Sequence, residues 1–170
     1  VILATAIAGC STEKFRSGNE VTIGRTETVA HDLYLAGGSI DVLGTVEGDL
    51  VAAGGIVDLT GDVEGDVLAS GGTINVTGTV GGDLIAAGGK VEIAGEVRDD
   101  IRVVGGQIEI SAVVNDNVIA AGGRITLTRS AVVSGDLVVG GGSVTVEGIV
   151  EGDALLGVED ATIAGTVMGD

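Results

Sequence analysis

Aspartate returns on a fixed beat in this chain. It stands at Asp32, Asp49, Asp66, Asp83 and Asp100, and after Asn117 again at Asp136, Asp153 and Asp170. Carboxylates are hard oxygen ligands, so a regular row of them is a candidate cation stripe, with Asp49, Asp66, Asp83 and Asp100 as its core. The row also has a plainer use. Most of these residues follow a glycine, and an aspartate at a turn accepts backbone N–H bonds. The Gly-Gly-x-Gly-x-Asp pattern of calcium-binding β-rolls is absent, which favours the backbone role. In either case the row has a cost. Like charges about 4.8 Å apart repel by about 1 kcal/mol per neighbouring pair even in water, so something must offset them.

Little else in the chain could do chemistry. The single histidine, His31, falls at a turn and reads as a surface turn residue rather than a general base. The glycine pairs lead into strands and not helices, so they make no phosphate cradle. We find no catalytic constellation, and expect neither an enzyme, a cofactor nor a small-molecule substrate.

The beat belongs to a repeat. Gly-Gly begins at Gly37, Gly54, Gly71, Gly88, Gly105 and Gly122, each 17 residues after the last, and returns at Gly141 after 19. Let the first glycine be position 1. Positions 4 and 6 are aliphatic, as in Ile74 and Val76; position 8 is usually glycine; position 10 is valine; position 13 is the aspartate. A fixed short period is the signature of a solenoid. Alternation at positions 3 to 7 marks a half-buried strand, and Val, Ile and Thr suit a pleated surface. The fold class expected is all-β: a single-stranded, three-sided parallel β-helix of about 17 residues per coil and eight to nine coils. Three short strands per coil, with glycine corners, would close it. At about 4.8 Å per coil the rod is roughly 40 Å long. Proline is absent, as expected where nearly every N–H bonds to a neighbouring coil. Tracing back from Gly37 starts the helix at Val21, with two extra residues near Arg25-Thr26; the unit from Gly122 needs the same at Arg129-Ser130. The domain is therefore expected over residues 21–170, after an apolar segment and polar linker at 1–20.

Two further features point to surfaces. Position 15 is Tyr34, Val51, Leu68, Ile85, Arg102, Ile119, Val138 and Leu155, and its neighbours at 14 and 16 are apolar as well. Successive strand residues face opposite sides, so one of these two sets must be an exposed apolar stripe. We expect it to be a lateral interface with another chain, with Arg102 paired to an acid of that partner. The ends of a β-helix are unpaired sheet edges and templates for further strands. Val21, Ile23 and Val29 at one end, and Ile163 and Val167 at the other, are the candidates for end-to-end stacking.

Charge and the N-terminus bound the partners. Net charge is −17 with only two lysines, Lys14 and Lys90, which argues against nucleic acid and anionic membrane surfaces. Cys10, the lone cysteine, excludes an internal disulfide. It ends Ile7-Ala8-Gly9-Cys10 after the apolar run Val1 to Ala8, which looks like a lipoprotein lipobox with Cys10 as the lipidation site. The other reading is an apolar tail that docks on the solenoid or on a neighbour.

Units such as Gly71-Gly72-Thr73-Ile74-Asn75-Val76-Thr77-Gly78-Thr79-Val80-Gly81-Gly82-Asp83-Leu84 resemble the bactofilins, polymer-forming cytoskeletal proteins. The similarity covers about Val21 to Asp170. It implies a right-handed parallel β-helix that stacks end to end into filaments without nucleotide. The expected function is then a structural homopolymer. The alternative is a non-polymerising, lipid-anchored surface stalk or binding module. Bactofilins proper are cytoplasmic; the lipobox-like Cys10 shifts the expectation to the cell surface or outside, membrane-anchored if lipidated.

Overall fold

The computed structural model describes residues 14–169; Cys10, the apolar run Val1 to Ala8 and Asp170 lie outside the described residues. Nine long strands, Phe15–Ile23 and then ten-residue strands from Leu33–Val42 to Ala154–Ile163, pair in chain order as one parallel sheet. Nine two-residue strands, from Thr28–Val29 to Thr166–Val167, form a second parallel sheet in the same order. One long and one short strand make a coil, so the described residues form a β-solenoid of nine coils, counted here from coil 1 (Phe15–Ile23) to coil 9 (Ala154–Ile163). The described residues hold no helix.

Register explains the period. Leu50 pairs with Val67 and Val67 with Leu84, each 17 residues on. The offset becomes 19 where Val113 meets Val132 and where Val21 meets Ile40. The extra residues form tight turns at the two expected places, closed by Glu27 N–H to the Gly24 carbonyl at 2.9 Å and Ala131 N–H to the Thr128 carbonyl at 3.0 Å.

The expectation of three short strands per coil needs correction. The glycine pair is not a strand break but a bend within one long strand. In Leu84–Ile93, residues 84 and 86 point inward, then 91 and 93. The inward parity flips across Gly88-Gly89-Lys90, and the second glycine drops out of the pairing register. Hydrogen bonding continues on both sides, so the strand turns a corner without ending. Inward residues thus come from three segments of each coil, at positions 14 and 16, 4 and 6, and 10.

Those positions build the core. Coil 5 contributes Leu84, Ala86, Val91, Ile93 and Val97, each at most 2 % exposed. Each Val, Ile or Leu so buried stabilises by about 1.5–3 kcal/mol against exposure. No polar or charged residue among those described is buried. Glycine at position 8 is a matter of clearance: a Cβ on Gly61, Gly78 or Gly95 would collide with the carbonyl oxygen of the position-8 glycine one coil back.

The domain also starts earlier than Val21. Phe15–Glu20, expected as linker, is the front of the first long strand, pairing Phe15 with Tyr34 and Arg16 with Leu35.

Candidate functional site

The aspartate row is the most regular polar feature. At the corner after position 12 the chain turns into the next long strand, and the N–H of each position-13 residue needs an acceptor. The carboxylate one coil back supplies it. Asp32 Oδ1 accepts the Asp49 N–H at 3.3 Å, Asp49 that of Asp66 at 2.9 Å, Asp66 that of Asp83 at 2.9 Å, and Asp83 that of Asp100 at 3.2 Å. The series runs on through Asn117 to Asp136 and Asp153. The backbone carbonyls answer in the other direction: Leu50 N–H donates to the Asp66 carbonyl and Val67 N–H to that of Asp83, both at 2.8 Å. The carboxylates therefore join coil to coil, which is the backbone role expected of them. A charge-assisted bond of this kind offsets the repulsion along the row.

Position 12 must be small for the same reason. A Cβ at Gly65 or Gly82 would strike the ladder oxygen of the preceding coil. Three units depart from the rule: His31 stands there before the first rung, and Asp99 and Asp116 further along. At the second of these departures Asp83, Asp99 and Asp100 bring carboxylate oxygens within 4.8 Å of one another. The charge there is answered from within the chain: Arg102 Nη1 lies 2.5 Å from Asp83 Oδ2 and Nη2 lies 2.6 Å from Asp100 Oδ2. These contacts, with Asp83 first, raise the guanidinium's pKa above its ordinary value. The expectation that Arg102 pairs with an acid on another chain is thus corrected. Its acids are its own: Asp100, two residues before it, and Asp83, one repeat further back.

The stripe at position 15 is exposed as expected. Tyr34, Leu68, Ile85, Ile119, Val138 and Leu155 are all more than a third exposed, with Leu155 highest at 68 %, while Val51 is half-buried. Sequence reading missed one member. Phe15 pairs with Tyr34 and extends the column into coil 1, where it is 62 % exposed. It went unnoticed because the repeat has faded there and its flanks, Arg16 and Ser17, are polar. Beside this column, position 17 is small: Ala36, Ala53, Ser70, Ala87, then Val104 at 60 % exposure.

The two ends differ. Val21, Ile23 and Val29 are core residues of coil 1, at most 6 % exposed, and offer no free apolar end surface. The inward column there is filled by Arg16 at the place of Leu35, ion-paired with Glu27, whose other oxygen accepts the Gly24 N–H at 3.3 Å. Arg16, by hydrogen bond first, holds the Glu27 carboxyl below its ordinary value of 4.5. An inward charge at the last strand of a sheet is a known way of blunting an edge. At the other end Ile163 is 53 % exposed and Val167 half-buried, although the equivalent Val146 and Val150 of coil 8 are covered.

Elsewhere the surface is shallow. One depression of about 230 Å³ is lined by Thr45, Asp62, Glu64, Thr79 and Arg98, and another of about 380 Å³ by Asp136, Val138, Asp153 and Leu155. His31 sits half-buried at its corner, Nδ1 donating to the Asp32 carbonyl at 2.9 Å and Nε2 buried without a partner. No helix of the described residues is long and apolar enough to cross a membrane. No protein-family model matches the chain, and no curated protein or solved structure matches it either.

Proposed function

We propose that this protein is a structural rod that assembles end to end with copies of itself, needing no nucleotide or cofactor. The observation that carries this reading is a register that every coil repeats. Both parallel sheets keep it from coil 1 to coil 9, where Leu137 pairs with Ala154 and Val146 with Ile163. A coil of another copy laid on such an edge extends both sheets in the same register and buries apolar surface, at about 25 cal/mol per Å². The resemblance of the repeat to bactofilins supports the same role. Lateral pairing of copies through the position-15 stripe fits less well, because each copy brings its own acidic corner to that face and the whole chain carries a net charge of −17.

One observation favours the second reading, a non-polymerising stalk or binding module at the cell surface, anchored if Cys10 carries lipid. The Arg16–Glu27 pair lines the far end, so an apolar end coil stacked there meets charge. Electron microscopy of the full-length protein at low and high salt tests the choice. Filaments one or a few rods wide are the expected result, and Ile163→Lys with Val167→Lys should abolish them while leaving the β circular dichroism intact. Short rods at every salt concentration, or filaments indifferent to the two lysines, would overturn end-to-end assembly.

A further inference from the structure

The position-15 and position-17 columns make a step along the rod. Over coils 1 to 5 the tall side is Phe15, Tyr34, Val51, Leu68 and Ile85, and the low side is Ser17, Ala36, Ala53, Ser70 and Ala87. Coil 6 closes it, because Arg102 replaces the aliphatic residue and Val104 fills the low side. Along the tall side runs the acidic corner. Just over half of the chain's acidic residues fall at positions 11 to 13, and in this stretch Glu47, Asp49, Glu64 and Asp66 are exposed. Asp32, Asp49 and Asp66 each give Oδ1 to the ladder. Arg102 shows what the other oxygen of a rung can hold: its guanidinium lies across two successive rungs, Oδ2 of Asp83 and Oδ2 of Asp100.

We infer that this five-coil face docks a basic amphipathic helix of another protein, lying along the rod with leucine-type residues in the step and arginine or lysine over the aspartate rungs. Charge complementarity selects this occupant over a second copy, which would bring acid to acid. Geometry selects a helix. The rungs repeat about every 4.8 Å. A helix turn advances about 5.4 Å, whereas alternate residues of a strand advance about 6.7 Å. The helical mismatch of about 0.6 Å per coil accumulates to roughly 1.2 Å over the two intervals between the Asp32, Asp49 and Asp66 rungs, and to roughly 2.4 Å over the four from coil 1 to coil 5, within the reach of long cationic side chains. Coil 1 to coil 5 spans about 19 Å, or about 13 helical residues. Arg102 already occupies the next two carboxylates, which sets the boundary.

The test uses the full-length rod and a fluorescently labelled helical peptide of about 18 residues, long enough to cover the span. One version has lysine and arginine beside its leucine face, the other glutamate. Asp49→Asn with Asp66→Asn removes two charges and keeps the Oδ1 acceptors, as Asn117 does natively. Asp41→Asn with Asp58→Asn removes two charges from the face of positions 4 to 6. Leu68→Ser with Ile85→Ser removes the apolar step; if that pair lowers the melting temperature, Leu68→Ser alone replaces it. The basic peptide should bind, with about a tenfold loss from the ladder pair and from the step variant, and less than about a twofold loss from the position-5 pair. Equal loss from both charge pairs would mean a diffuse field and overturn the proposal. So would binding of the glutamate peptide, an undiminished affinity of the step variant, or a change in the rod's own sedimentation caused by Leu68→Ser, which would assign the face to a second copy.

Discussion

Replacing Asp66 separates the two roles of the ladder carboxylate. Its Oδ1 accepts the Asp83 N–H at 2.9 Å. A bond to a charged acceptor contributes about 1.5–3 kcal/mol, one to a neutral amide about 0.5–1.5. Against this, Asp66 repels the carboxylates of Asp49 and Asp83, by about 0.9 kcal/mol each at 4.8 Å in water and less in salt. Asp66→Ala loses the bond and the repulsion together, a net destabilisation of about 1 kcal/mol. Asp66→Asn keeps a neutral version of the bond and loses the same repulsion, so it should fall within about 0.5 kcal/mol of the parent. The chain contains its own precedent in Asn117, whose Oδ1 accepts the Asp136 N–H at 2.9 Å. Urea unfolding followed by circular dichroism at low and high sodium chloride is the assay, because urea leaves ionic strength free to vary. The alanine variant should be the less stable of the two by about 1 kcal/mol at both salt concentrations. Raising the salt should favour the parent relative to Asp66→Asn, since screening removes the repulsion only the parent suffers. If Asp66→Asn falls as far as Asp66→Ala, the carboxylate matters for its charge and not as a backbone acceptor, and the argument for the ladder fails.

Three more outcomes are expected. Ile74→Ala, at a fully covered core position, should cost about 2–5 kcal/mol in urea unfolding, while Leu68→Ala, nearly half exposed, should cost less than about 1. Gly78→Val should prevent native folding, seen as loss of cooperative melting, because any Cβ there meets the Gly61 carbonyl. Glu27→Gln should remove part of the stability above pH 4.5. The Glu27 carboxyl titrates lower when folded than unfolded, so its contribution is present above the unfolded pKa and fades as pH falls through the folded one. The gap between parent and variant in thermal melts should therefore shrink as pH falls below 4.5 and through the lowered folded value, and a gap that stays at its neutral-pH size throughout the acid range would discount the Arg16 contact.

The sequence alone determined the solenoid, its period, the identity of the core and the two places where a coil takes extra residues. Each coil meets nearly the same surroundings, so the same residue types recur at 17-residue spacing, and Arg25-Thr26 and Arg129-Ser130 stand out as departures from it. The outward stripe was legible too, because position 14 and 16 residues such as Leu84 and Ala86 can fill the inside only if Ile85 faces out. What only the tertiary structure decided lies between coils. Alternation says which way a side chain points, not which atom of the next coil it meets. That the Asp66 carboxylate receives the Asp83 N–H, and that Arg102 closes on Asp83 and Asp100, depend on stacking residues far apart in the chain. The same holds for the glycine pair, since a bend and a break look alike in sequence until pairing resumes beyond Gly89. At the first coil the repeat is too worn to read. Phe15 and Arg16 look like linker, and only pairing with Tyr34 and Leu35 turns one outward into the stripe and the other inward against Glu27.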